Sequence, residues 1–139
     1  MSNSIDGAGM PDGWHRLWAP HRLEYLRGEN RPLEGNDVAC PFCRIPSLPD
    51  EEGLIVHRGK SAFVVMNLYP YNPGHLLICA YRHVPDLTDL TDEERNEISE
   101  LTAHAMKTIR SVSNPEGFNL GMNQGAISGA GVAEHIHQH

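Results

Sequence analysis

An α+β fold, an antiparallel meander sheet with one long helix packed on it, is predicted by three features of the sequence. Residues 54–57 and 62–66 are short β-like runs joined by Arg58-Gly59-Lys60-Ser61, a hairpin connection that contains glycine. Residues 75–81 form a continuous apolar run, as expected of a strand buried on both faces. A single long amphipathic pattern follows, and it has the period of a helix rather than of a strand. The chain has 139 residues, enough for one domain to bury a core without disulfide staples.

In chain order, residues 1–13 are rich in Gly, Ser and Asp without any period and read as a disordered tail, leaving 14–139 as the domain. Apolar and basic residues mix over 14–27, and Pro20 suits the first turn of a helix running to Arg27. Gly, Asn, Pro and acids break 28–38 into a loop leading to Cys40-Pro41-Phe42-Cys43. After the first two strands, 67–74 is turn-rich, and 75–81 becomes the central strand. Thr91-Asp92-Glu93-Glu94 is a capping box, with acids at the positive end of the helix dipole. Ile98, Leu101, Ala105, Met106 and Ile109 carry that helix to about Val112, and Asn114-Pro115-Glu116-Gly117 stops it. A further strand is expected over 118–122, a glycine-rich loop over 124–131 and a final alternating strand over 134–139.

Eleven basic residues against eighteen acids give a net charge of −7, which opposes the phosphate-neutralising patch that DNA or RNA binding needs. A small phosphorylated ligand is compatible with that charge, because amides and imidazoles hold phosphate locally. No apolar run approaches the ~18 residues of a bilayer span, and the first residues lack the basic and apolar regions of a signal peptide. No membrane association and a cytoplasmic location are therefore expected.

His135-Ile136-His137-Gln138-His139 places three imidazoles on one strand face, neighbours roughly 7 Å apart. An affinity tag would be consecutive His and would lack the Ile136 alternation. Cys40 and Cys43 have the spacing of a zinc knuckle, whose thiolates occupy two corners of a tetrahedron. Two more ligands are then needed, and His83 and His135 are the candidates. A thioredoxin-like redox pair would instead follow a strand and open a helix. Cys79, inside the apolar strand, reads as a small core residue.

Taken together, Asn72-Pro73-Gly74-His75, Gly121-Met122-Asn123-Gln124-Gly125 and His135-Ile136-His137-Gln138-His139 resemble the histidine triad (HIT) superfamily of nucleotide hydrolases and transferases. The resemblance runs from about Leu17 to the last residue. Cys40, Cys43 and the opening around Trp18-Ala19-Pro20-His21 are similar to a zinc-bearing bacterial branch that cleaves diadenosine tetraphosphate by phosphorolysis or hydrolysis. It implies a HIT-like fold, a homodimer, and a structural zinc held by Cys40, Cys43, His83 and His135. It further implies that His137 attacks the α-phosphorus of a dinucleoside polyphosphate to form a covalent nucleotidyl-histidine, which water or phosphate resolves. His139 would hold phosphate oxygens, Asn123 would donate to the non-bridging oxygens, and Asn67 would meet the ribose. Amides around Gly125, Gly129 and Gly131 would cradle the remaining phosphates. A nucleoside phosphoramidase and a non-catalytic nucleotide-binding zinc module are the alternatives. Two departures stand out. Gly129-Ala130-Gly131-Val132 lacks the Gln and hydroxyl that other members carry before the triad. The family pattern also continues beyond a third histidine, so a C-terminal part of the domain is expected to be missing from the chain.

Overall fold

The computed structural model describes residues 40–139. The expected tail, the helix ending at Arg27 and the loop over 28–38 lie outside the described residues. Helix α1 (Pro41–Arg44) and a 3-10 turn (Ile45–Ser47) lead to helix α2 (Asp50–Gly53). Strands β1 (Ile55–Arg58), β2 (Ala62–Met66) and β3 (Leu76–Ala80) follow, then a second 3-10 turn (Leu87–Asp89) and the long helix α3 (Asp92–Ser113). A third 3-10 turn (Ala126–Ser128) and the short strand β4 (His137–Gln138) complete the order.

The four strands form one antiparallel sheet in the order β1-β2-β3-β4, so the expected meander is present. Alternation along β2 and β3 sorts their side chains onto two faces. Ala62, Val64, Ile78 and Ala80 face α3, where they pack with Leu90, Ile98 and Ile136. Phe63, Val65, Leu77 and Cys79 face the other way, against Cys40 and Phe42. Both strands are therefore buried on both sides, between the long helix and the cysteine segment. Cys79 is fully buried, as expected, and burial pushes its thiol well above the ordinary range.

The helix begins where the capping box places it. Thr91 Oγ1 accepts from the Glu94 amide at 3.2 Å, and Glu94 Oε2 accepts from the Thr91 amide at 2.8 Å. It ends on Asn114 in the left-handed conformation, φ 45°. Glu94 also receives Arg82 at 2.6 and 2.8 Å, and the Arg82 guanidinium, helped by the Thr91 amide, holds its carboxyl down to about 2 from an ordinary 4.5. Because the folded carboxyl is the stronger acid, the stabilisation is complete above about pH 4.5 and is lost as pH falls through about 2. Glu94→Gln is expected to cost about 2 kcal/mol at pH 7, discounted for the half-exposed Arg82, and to narrow the gap from wild type at pH 3. Urea melts of both proteins at the two pH values check this.

Four expectations are corrected. The first strand starts at Ile55 because Leu54 adopts φ 55° and closes α2. The cysteine pair does not simply end a loop: Cys40 is the N-cap residue of α1. Residues 118–122 form no regular strand; Gly121 alone exchanges backbone hydrogen bonds with His139, at 2.8 and 3.1 Å. The final strand is confined to His137–Gln138 rather than spanning 134–139.

Candidate active site and metal centre

Between the cysteine segment and the end of the sheet, four donor side chains converge. Cys40 Sγ lies 3.5 Å from His135 Nδ1, Cys43 Sγ lies 3.5 Å from the same atom, and Cys43 Sγ lies 3.2 Å from His83 Nδ1. All four donor atoms fall within 4.8 Å of one another. A tetrahedral zinc with bonds of about 2.3 Å to sulfur and about 2.0 Å to nitrogen would separate a sulfur from a nitrogen by about 3.5 Å. The donor set and its spacing fit that ion. The histidine tautomer fits as well. His135 is fully buried, and its Nε2–H donates to the Ala80 carbonyl at 2.8 Å, which turns the lone pair of Nδ1 toward the thiols. Although the pair opens a short helix, the two imidazoles beside it give it the chemistry of a metal site rather than of a redox pair.

Two residues on, at the start of β4, stands His137. Its Nδ1–H donates to the His135 carbonyl at 2.8 Å, leaving Nε2 unprotonated in the neutral ring. Burial lowers its pKa below the ordinary histidine value, and the carbonyl bond opposes this only in part. Phe42, between the two cysteines, packs on the His137 ring with centroids 4.7 Å apart. The metal segment thus forms one wall of the imidazole's seat.

His137 lines a cavity of about 350 Å³. Asn67, Asn123, Gly129, Gly131 and His139 line it too, so five of the six expected substrate-contacting residues share one space with the expected nucleophile. Gly125 does not line it; with φ 78° it precedes the Ala126–Ser128 turn. Gly129, at φ 85°, is held in a conformation that favours glycine. Phe42, Ile45, Leu54, Val65 and Leu68 give part of the cavity apolar walls suited to a flat aromatic ring.

A further residue of the site is His75, which the motif reading did not assign a role. The Tyr71 amide donates to its Nδ1 at 3.0 Å, and its Nε2 lies 2.9 Å from His139 Nδ1. A backbone amide only donates, so His75 Nδ1 accepts and His75 carries its proton on Nε2. That proton goes to His139 Nδ1, and the proton of neutral His139 then sits on Nε2. The triad consequently offers two different ring nitrogens: a lone pair on His137 and a donor on His139. Asn67 Oδ1 accepts from the Tyr69 amide at 2.9 Å, which fixes the carboxamide at the mouth of the same loop.

Among the described residues no helix is long and apolar enough to cross a membrane. A family model described as the HIT domain matches residues 50–139. AP-4-A phosphorylase of Mycobacterium tuberculosis (strain H37Rv) is 48% identical over 136 residues, covering 96% of this chain and 70% of that protein. The asymmetrical bis(5'-nucleosyl)-tetraphosphatase of Schizosaccharomyces pombe is 32% identical over 85 residues, 61% of this chain and 46% of the yeast protein. Among solved structures, a Zn-bound histidine triad family protein from Mycobacterium smegmatis superposes with a TM-score of 0.64 at 23% identity, covering 75% of this chain and 74% of that one. The antiparallel sheet, the three alternating imidazoles on and beside its last strand and the match over most of the described residues make this chain a member of the HIT family.

Proposed function

We propose that the chain cleaves dinucleoside polyphosphates such as diadenosine tetraphosphate at an α-phosphorus, in two displacements through a nucleotidyl-histidine. The observation that carries this reading is the bond from His137 Nδ1 to the His135 carbonyl, because it commits Nε2 to the lone-pair state at the wall of a cavity sized for a nucleotide. In the first displacement, Nε2 bonds to the α-phosphorus and the bond from that phosphorus to the bridging oxygen breaks, so ATP departs. The ring then carries a positive charge, which the Nδ1–H shares with the His135 carbonyl. In the second, an oxygen of inorganic phosphate attacks the same phosphorus, the N–P bond breaks, and ADP is released with His137 restored.

The 48% identity to a protein named AP-4-A phosphorylase favours phosphate as the acceptor, and water in its place would release AMP. His139 Nε2–H and Asn123 are assigned to the non-bridging oxygens, Asn67 to the ribose, and the amides at Gly129 and Gly131 to the remaining phosphates. Gly125 is left out of this set, since it lies away from the cavity wall. Cys40, Cys43, His83 and His135 would hold a structural zinc, which supplies cross-linking of the cysteine segment to the sheet rather than reaction chemistry. A similar protein described as Zn-bound supports that assignment. The reading includes a cytoplasmic homodimer joined across α3, whose last turn exposes Val112, and no nucleic-acid partner, since the charge of −7 opposes one.

Chromatography of the products after incubation with diadenosine tetraphosphate tests the reading. ATP and ADP are expected in equal amounts with phosphate present, and ATP with AMP when water replaces it. Unchanged substrate in the presence of zinc-loaded protein and phosphate would refute it.

A further inference from the structure

Tyr71 has no task in the attack, in the phosphate contacts or in the metal centre, yet it touches the imidazole pair in three ways. Its amide donates to His75 Nδ1 at 3.0 Å. Its ring stacks on His75, with centroids 4.6 Å apart and planes inclined by 24°. It also stacks on His139, at 5.8 Å and 23°. One aromatic face therefore covers both rings of the 2.9 Å His75–His139 hydrogen bond.

Hydrogen bonds made in the ring plane set the tilt of an imidazole only weakly, because its terminal torsion has broad minima. A ring stacked across both partners removes that freedom and holds the two imidazoles at a fixed mutual tilt, here 43°. The opposite proton order is blocked as well. A proton on His139 Nδ1 would require His75 to accept with Nε2 and to direct an Nδ1–H at the Tyr71 amide, donor against donor. Tyr71 also lines both the cavity of about 350 Å³ and a second one of about 680 Å³, as do Asn123 and His139.

We propose that Tyr71 is a positioning residue: its amide sets the tautomers of His75 and His139, and its ring fixes their planes so that His139 presents Nε2–H to the attacked phosphate. This rests on the reading of the smaller cavity as the nucleotide site. Removal of the ring leaves the amide in place but frees the planes, and His139 then samples orientations that miss the phosphate.

The test uses zinc-loaded protein labelled with 15N-histidine, in wild-type, Tyr71→Phe and Tyr71→Ala forms. Nitrogen shifts and line widths of His139 are read without substrate, and kcat and KM for diadenosine tetraphosphate are measured in parallel. The wild type and Tyr71→Phe should show one His139 tautomer, protonated on Nε2, and similar kcat. Tyr71→Ala, which keeps the amide, should keep that tautomer but show exchange-broadened His139 nitrogen signals and a kcat lower by about tenfold, the upper worth of one stacked contact, with KM nearly unchanged. His139 signals as sharp in Tyr71→Ala as in the wild type would overturn the proposal, as would a mixed tautomer in the wild type, a rise in KM alone or a failure of phenylalanine to restore kcat. Because the shifts and line widths are read without turnover, they judge Tyr71 even where the cleavage assay itself fails, and that failure would count against the substrate reading instead.

Discussion

His137→Ala should lower kcat for diadenosine tetraphosphate by about 10⁴-fold or more, because among the described residues no other group lining the cavity combines a neutral lone pair with a seat on the sheet. KM should change little, since the proposed contacts to ribose and phosphate come from Asn67, Asn123 and His139. The variant should also remain folded. Its side chain packs against Phe42 but is not one of the metal donors, so truncation leaves a small void costing about 1–3 kcal/mol. Metal content and the thermal midpoint, measured beside the kinetics, separate a lost nucleophile from a lost fold. A residual rate within tenfold of wild type would mean that another group makes the first bond to phosphorus.

Metal removal should have the opposite profile, a large loss of stability in advance of any change in chemistry. Cys40 and Cys43 lie on the face of β2 and β3 away from α3, while His83 follows β3 and His135 precedes β4. One ion held by these four donors would cross-link segments 40 to 95 residues apart in sequence. Structural zinc contributes folding energy directly, so Cys40→Ser is expected to lower the thermal midpoint by roughly 10–20 °C and to abolish stoichiometric zinc. A chelator should reproduce the shift in the wild type and leave the variant nearly unchanged. Thermal melts with metal analysis at each stage check this, and a wild-type midpoint indifferent to chelation would remove zinc from the account.

Much of this architecture is legible in the sequence where local chemistry and tertiary packing agree. The capping box at Thr91 and Glu94 starts α3 where its residues indicate, and Asn114 stops it, because both signals are backbone hydrogen-bonding solutions within one turn. Strand β2 occupies the expected residues, since Gly59 in the connection and the apolar run leave it no other register. Helices α1 and α2 are not legible. They carry no hydrophobic period, and their segment is tied down from a distance by Arg58, which donates to the carbonyls of Pro46 and Leu48 and to Asp50. The alternation of residues 118–122 suggests a strand, but among the described residues its backbone pairing is the exchange between Gly121 and His139.

For the site, donor chemistry was the stronger guide. Cys40, Cys43, His83 and His135 were identifiable as metal donors by residue type and spacing, and they converge. The period of 2 placed His135 and His137 correctly, facing the cysteine segment while Ile136 packs toward α3. The His75–His139 bond was not visible, because it joins residues 64 apart through a loop whose path depends on Pro70, Pro73 and the left-handed Gly74. Gly125 shows the converse limit: a glycine in a glycine-rich stretch signals backbone freedom, and here a turn uses it rather than the cavity.

Rapid-quench mass spectrometry of the zinc-loaded protein mixed with diadenosine tetraphosphate in the absence of phosphate tests the central claim most directly. A nucleotidyl group on the peptide carrying His137, formed before the release of AMP and discharged when phosphate is added, is the predicted result. Turnover with no adduct at any time point, or an adduct mapped to His75 or His139, would contradict it.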